Sequence, residues 1–454
     1  MNPNDVRQQR VTVVGGARSG LAVARLLARA GARVFLTERG APTQGLEAAL
    51  DAQGVAHEFG GHTPRALAAD FFVLSPGVPS TVNLVQQALR SGLPVYSEIE
   101  VASWFCRAPI VAITGTNGKT TTTSLLGHVF RTAGHRVILA GNIGYPFSDY
   151  VLETAEDDLV VLEVSSFQLD HIATFRPRVS VLLNITPDHL DRYNHSLNAY
   201  AQSKFRIFEN QAGDDVLVYN HDDALVRDYV TWTRRRRPLH ALGVSLEGEM
   251  EAGAFVREGM LVLRTHEREE PLMHADKLAL RGRHNLYNSL AAAVASRVME
   301  IRCDVIRESL ATFEGVPHRL EFIREVDGVR YVNDSKATNV NAVWYALESF
   351  AEPVVLIAGG RDKGNDYSML KPLVRKNVRG VVALGESAGK VLDELGPLVT
   401  HQMEASSMEE AIRLARLLAD PGDVVLLSPA CASFDLFENY EHRGDTFRRL
   451  VMNL

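Results

Sequence analysis

A chain of 454 residues with 46% hydrophobic and 23% charged side chains is too long for one core and reads as roughly three globular domains. Its net charge of −7 argues against general binding to nucleic acid or anionic membranes, and no apolar run approaches the ~18 residues of a membrane span. The three cysteines, Cys106, Cys303 and Cys431, have neither metal-ligand nor disulfide spacing, which suits a reducing cytoplasm. The polar start, Met1 to Arg10, runs straight into a strand and is expected not to be a signal peptide.

Strand and helix alternate over residues 1–107. Strands are expected at 11–14, 33–37, 71–74 and 94–96, and helices at 21–30 and 82–90, closed by Gly31 and Gly92. This alternation predicts a parallel, doubly wound α/β sheet. Its first turn, Gly15-Gly16-Ala17-Arg18-Ser19-Gly20, resembles a dinucleotide-binding turn with Ala17 in place of the middle glycine. Glu38 closes the next strand, where such folds set an acid on a ribose hydroxyl. The loop Ser75-Pro76-Gly77-Val78-Pro79 is expected on the same rim. A nucleotide-diphosphate ligand and a merely structural turn both fit so degenerate a fingerprint.

A second α/β unit spans 108–315. The apolar run Ile110 to Ile113 leads into Thr114-Gly115-Thr116-Asn117-Gly118-Lys119-Thr120-Thr121 and then a helix. Strand, tight turn and helix N-terminus make a phosphate cradle, in which Lys119 reaches the β/γ-phosphates and Thr120 ligates Mg²⁺. Ile113 stands where the usual G-x-x-x-x-G-K-[ST] motif has its first glycine. Glu163 closes the apolar strand 159–162, and Asp188, His189 and Asp191 follow the strand 179–183. Oxygen donors with one imidazole at strand ends suit Mg²⁺ or Mn²⁺ better than Zn²⁺. Residues 196–209 and 285–299 read as helices, 214–280 supports no assignment, and the basic run Arg234 to Arg237 reads as a solvated loop.

From 316 to 454 a third α/β unit follows a hinge at Gly315-Val316-Pro317. Three strand ends carry Asn333-Asp334-Ser335-Lys336-Ala337-Thr338-Asn339, Gly359-Gly360-Arg361-Asp362-Lys363-Gly364 and Ser428-Pro429-Ala430-Cys431-Ala432-Ser433-Phe434-Asp435. Lys336, Lys363, Thr338 and Ser428 on one rim would suit anions such as carboxylates.

With these motifs, and with Gly141-Asn142-Ile143-Gly144, His284-Asn285 and Pro317-His318-Arg319, the chain resembles the Mur ligases, the ATP-dependent amide-forming enzymes of peptidoglycan assembly. The resemblance spans all three units, and the family's phosphate turn also lacks the glycine missing at Ile113. It implies a Rossmann-like N-terminal domain for a UDP-sugar (1–107), a P-loop ATPase-like centre (108–315) and a Rossmann-like C-terminal domain for an amino acid (316–454). The implied reaction joins D-glutamate to UDP-N-acetylmuramoyl-L-alanine through an acyl phosphate, releasing ADP and phosphate in the cytoplasm, from a monomer.

Position by position, the resemblance gives the ATP phosphates and one Mg²⁺ to the turn Gly115 to Thr121, with Glu163 as a further ligand of that metal. His189 is implied for a second Mg²⁺. Asn285 and Asn288 are implied for adenine, Arg319 for a phosphate and Asp334 for ribose. Ser19, Gly20, Glu38, Ser75 and Gly77 would take the uridine end and Asn142 the sugar. Thr338, Lys363, Ser428 and the Phe434 N–H would hold the D-glutamate carboxylates, and Lys336 the tetrahedral oxyanion. Lys204, fifteen residues after His189, sits among Tyr200, Phe205 and Phe208. The family resemblance places a carbamylated lysine there, completing the second metal site. The alternatives are a sister amide ligase of the L-alanine-adding or folylpolyglutamate type, and a nucleotide-dependent scaffold without chemistry.

Overall fold

Short apolar runs buried on both faces are what parallel strands require, and three sheets of such strands organise this chain. The structure, a computed structural model, describes residues 3–265, 268–362 and 364–454. Two compact units divide them: Met1–Lys277 with Tyr287–Ala311, and Leu278–Leu286 with Thr312–Leu454.

In the first unit, strands β1 (Arg10–Val14), β2 (Arg33–Glu38), β3 (Ala56–Phe59), β4 (Phe71–Leu74) and β5 (Val95–Ser97) pair in the parallel order β3-β2-β1-β4-β5. The order reverses between β1 and β4, so the turn after β1 and the loop after β4 flank the crevice where such sheets bind ligands. β3 went unseen in the sequence because it is an edge strand with no fully buried residue. β5 lies one residue later than expected.

The same unit holds a nine-stranded sheet. Its strands are β6 (Ile110–Thr114), β7 (Val137–Gly141), β8 (Leu159–Glu163), β9 (Val179–Leu182), β10 (Val216–Asn220), β11 (His240–Ser245), β12 (Gly253–Arg257), β13 (Met260–Thr265) and β14 (Arg268–His274). They run β14-β13-β12-β11-β10-β9-β6-β8-β7, parallel except for the last two hairpins, β12 to β14. These hairpins fill much of the stretch that resisted assignment. Arg257 and Arg264 each pair with both Glu249 and Glu269, and this charge network masks the strand periodicity while guarding the sheet's edge. The helix expected over 196–209 is Leu197–Phe205 and tightens into a 3₁₀ turn at Arg206–Phe208. That expected over 285–299 is Arg283–Val298.

Two glutamates of the helix Glu98–Ser103 fasten the first sheet's end to the second. Glu100 accepts hydrogen bonds from the Ala173 and Phe175 N–H groups (2.9 and 2.7 Å), the Thr174 hydroxyl (2.6 Å) and the Trp104 indole (2.9 Å). Glu98 accepts the Ser148 N–H at 2.7 Å, and its other oxygen is buried with no partner among the described residues. Burial pushes the Glu98 carboxyl up to about 7, with the Asp149 charge adding to the rise and the Ser148 N–H opposing it. Folding therefore takes up a proton between the ordinary carboxylate range and pH 7, and stability falls as pH rises through that window. Glu98→Gln keeps the acceptor and removes the titration. Relative to that variant, wild-type stability in urea unfolding is expected to drop by about 3 kcal/mol between pH 5 and pH 8. Parallel curves would refute the assignment.

The second unit carries β15 (Glu321–Val326), β16 (Val329–Asn333), β17 (Val354–Ala358), β18 (Val378–Leu384), β19 (His401–Ala405) and β20 (Val424–Leu427) in the order β15-β16-β20-β17-β18-β19. Only β15 is antiparallel. The loops after β16, β20 and β17 thus leave adjacent strand ends. Among the described residues, no helix is long and apolar enough to cross a membrane.

Candidate active site

The phosphate turn leaves β6 and enters the helix Lys119–Thr132. Gly115 (φ +155°) and Gly118 (φ +86°) adopt backbone conformations open mainly to glycine. A side chain at Gly118 would also strike the Asn288 carboxamide. Thr120 and Thr121 are buried in the helix's first turn, and Lys119 curls over the turn, its Nζ donating to the Gly115 and Thr116 carbonyls at 2.9 and 2.7 Å. The Asn117 Nδ2 is buried with no partner among the described residues. An amide donor held in that state beside a helix N-terminus fits a phosphate oxygen.

β8 and β9 lie on either side of β6, so Glu163 and the Asp188–His189 loop flank the turn. Glu163 is 3% exposed, and the Asn142 amide donates to its Oε1 at 2.9 Å. A Cβ at Gly141 would collide with the Glu163 carbonyl oxygen, which explains the glycine. Asn142, expected at the sugar, is thus turned onto the proposed metal ligand. His189 has φ +50°; its ring stands edge-on to Phe167 (5.3 Å) and its Nε2 lies 3.8 Å from an Asp188 oxygen. Among the described residues, no three His, Cys, Asp or Glu side chains form a metal-holding group. A hydrated Mg²⁺ needs only one or two carboxylates plus phosphate, so Glu163 and the Thr120 hydroxyl remain a fitting donor pair.

Lys204, on the helix Leu197–Phe205, is 1% exposed. Its Nζ donates to the Gly115 carbonyl at 2.8 Å and lies 4.7 Å from the Tyr200 ring centre. Burial, and then the Lys119 charge, hold its amine well below the ordinary lysine pKa, against the pull of Asp188 and Glu163. The structure therefore brings Lys119, Glu163, Asp188 and Lys204 to one place.

On the uridine rim, Glu38 accepts the Gly16 and Gly40 N–H groups at 2.6 and 2.8 Å. Burial opposes its ionisation, yet these bonds hold its pKa below the usual range. Gly20 is a packing residue, since a Cβ there would meet the Gly15 carbonyl, and the buried Ser75 hydroxyl donates to that same oxygen at 3.1 Å. Ser19 is half-buried, while Gly77 is exposed with open space around it. A cavity of about 230 Å³ begins at Ser75 and Pro76 and is walled by Phe167, Asp170, Arg192 and Tyr193. Arg192, whose role no motif reveals, stacks on Phe167 (3.9 Å) and donates to the Pro76 carbonyl (3.2 Å).

In the second unit, Asp334 is buried and its carboxyl is pushed up to about 7 by that burial, against the Ser428 hydroxyl and the Arg319 charge. The Ser428 hydroxyl donates to Asp334 at 2.7 Å and is fully buried, so gripping a substrate carboxylate would require breaking that bond. Arg443, missed in the sequence, ties two loops together by donating to Ser335 Oγ and O (2.9 and 2.8 Å) and to the Cys431 carbonyl (3.2 Å). The Lys336 Nζ lies 5.4 Å from the centre of the Tyr440 ring, another residue the motifs did not reveal. Thr338 is half-buried and Phe434 is 61% exposed. Asn285 is buried and its amide donates to the Arg281 carbonyl at 2.8 Å. Lys363 lies outside the described residues.

Three family models match the chain: the Mur ligase MurD-like N-terminal domain over 9–97, the Mur ligase middle domain over 113–296 and the Mur ligase glutamate ligase domain over 318–431. A UDP-N-acetylmuramoylalanine–D-glutamate ligase of Salinibacter ruber is 67% identical, covering 100% of both chains; its counterpart in Chloroherpeton thalassium is 48% identical, again over 100% of both. Among solved structures, the UDP-N-acetylmuramate–alanine ligase of Thermotoga maritima matches with a TM-score of 0.60 at 19% identity, covering 98% of this chain and 99% of that one. The Escherichia coli FolC protein matches with a TM-score of 0.59 at 17% identity, covering 78% and 92%. These two likenesses speak to fold alone; the full-length relatives and the three matched domains place the chain in the Mur ligase family.

Proposed function

We propose that this chain joins D-glutamate to UDP-N-acetylmuramoyl-L-alanine at the expense of ATP, making a peptidoglycan precursor. The activity of its full-length relatives gives the substrates, and the sister-ligase and scaffold readings are not favoured. The observation that carries the chemistry is the meeting of a phosphate turn, a buried Glu163 and a buried, amine-bearing Lys204 at the ends of three adjacent strands.

A carboxylate is a poor electrophile. Its oxygen attacks the γ-phosphorus of ATP, ADP leaves, and an acyl phosphate results. The D-glutamate amine then attacks the acyl carbon, loses a proton, and phosphate departs. Lys119 and the turn's N–H groups hold the phosphates and balance their charge. Mg²⁺, when bound, would neutralise charge on the transferring group, with Thr120, Glu163, His189 and a carbamylated Lys204 as the proposed holders across two sites. Asn285, Asn288, Arg319 and Asp334 keep the nucleotide roles given above. Ser19, Gly20, Glu38, Ser75 and Gly77 form the proposed uridine rim, with Gly20 and Ser75 acting through the backbone they shape. Thr338, Lys363, Ser428 and Phe434 remain the proposed D-glutamate cradle and Lys336 the oxyanion partner.

The three-domain division at 107 and 315, a monomeric state and a cytoplasmic site complete the proposal. The test is phosphate release from ATP with the UDP-sugar–alanine acceptor and a panel of D- and L-amino acids. Release is expected only with D-glutamate; release with L-alanine on the unsubstituted UDP-sugar, or with a folate acceptor, would overturn it.

A further inference from the structure

The phosphate turn has its first glycine at Gly115 and not at position 113 as in the usual motif, and its backbone amides are not all free for a ligand. The Thr116 N–H donates to the Asn184 carbonyl at 2.9 Å. The Asn117 N–H donates to Asn184 Oδ1 at 2.9 Å, while Asn184 Nδ2 donates to the Asn117 carbonyl at 3.0 Å. Since Asn117 offers its own N–H on one side and its own C=O on the other, the orientation of the Asn184 carboxamide is forced. One side chain from the end of β9 thereby grips one residue of the turn at both of its backbone polar groups, as a neighbouring strand would.

A second bond pair continues the seam. The Thr116 hydroxyl donates to the Thr186 carbonyl and accepts the Thr186 N–H, both at 3.0 Å. Thr186 lies two residues before Asp188 in the loop that carries His189. With its backbone fixed in this way, Asn117 contributes no amide N–H to a phosphate; what it offers is the buried Nδ2, which has no partner among the described residues.

We propose that Asn184 is a positioning residue of the nucleotide site, fixing Asn117 so that its carboxamide donates to a phosphate oxygen of ATP. This rests on the ATP-dependent reading above and names how that site is held. An aspartate at 184 is isosteric but sets a second acceptor against the Asn117 carbonyl, which should displace the turn. Among the described residues the Asn117 carboxamide makes no hydrogen bond, so Asn117→Ala is expected to fold.

The experiment is calorimetry with Mg²⁺ and a non-hydrolysable ATP analogue, alongside steady-state kinetics, on wild type, Asn184→Asp, Asn117→Ala and the double variant. Each single change is expected to weaken analogue binding and raise the KM for ATP by about tenfold. The KM for the UDP-sugar should stay within about twofold, and the double variant should be no worse than the weaker single one, because the two residues act as a unit. Wild-type analogue affinity in Asn117→Ala overturns the inference alone, whatever the fate of Asn184→Asp, and so do additive losses. A wild-type chain that binds no analogue overturns the ATP-dependent reading as well.

Discussion

Lys204→Ala is expected to lose about 10²–10³-fold in kcat, as other removals of charge-stabilising groups do, and to recover part of it when a short carboxylic acid is added. Lys204 is 1% exposed, and burial and then the Lys119 charge hold its amine well below the ordinary lysine pKa, which favours the neutral form. A neutral amine is a nucleophile toward CO₂: a C–N bond forms, one proton is released, and a carbamate with two hard oxygens results. The remaining N–H can still donate to the Gly115 carbonyl, 2.8 Å away. The carbamate's negative charge would attract Lys119, where an ammonium would repel it, and its oxygens are donors that Mg²⁺ prefers. Removing the side chain leaves a space into which a formate or acetate can bring a carboxylate. Two measurements check this: turnover at limiting Mg²⁺ with and without added acid, and carbon-13 resonance on protein equilibrated with labelled bicarbonate. A wild-type rate in the alanine variant, or no carbamate signal in the wild type, would falsify the modification.

Much of this site could be read from the sequence because many of its chemical residues follow an apolar strand. Glu163 and the phosphate turn sit at such ends in the nine-stranded sheet, the Asp334 and Ser428 loops at such ends in the six-stranded one, and each sheet brings its own pair to adjacent strand ends. What could not be read depends on partners far along the chain. Asn184 looks like any polar residue closing a strand until the turn 67 residues earlier folds against it. No local pattern singles out Glu98 and Glu100, whose partners are Ser148 and residues 173–175. Ser428 carries a hydroxyl suited to a carboxylate, and the carboxylate it meets is the protein's own Asp334. The strands β12 to β14 escaped because arginine and glutamate side chains occupy their exposed faces, leaving no clean alternation. Local pattern thus reports burial well and reports pairing poorly.

Lys119→Ala is expected to abolish measurable turnover, a loss of at least about 10³-fold, while UDP-sugar affinity stays within about twofold. The division follows from position. Lys119 sits on the turn after β6, in the nine-stranded sheet, whereas the rim formed by Gly15–Gly20, Glu38 and Ser75–Gly77 belongs to the five-stranded sheet. The side chain is a flexible cation that now closes over the Gly115 and Thr116 carbonyls; with ATP present those bonds exchange for phosphate oxygens, and no other described residue of the turn carries a positive charge. Alanine also relieves the repulsion that lowers the Lys204 pKa, so burial alone then opposes protonation there, and the Lys204 pKa should move upward. Calorimetry with the UDP-sugar on a variant of unchanged melting temperature separates the outcomes: retained affinity with absent turnover supports the division, and affinity lost together with turnover places Lys119 in the sugar site instead.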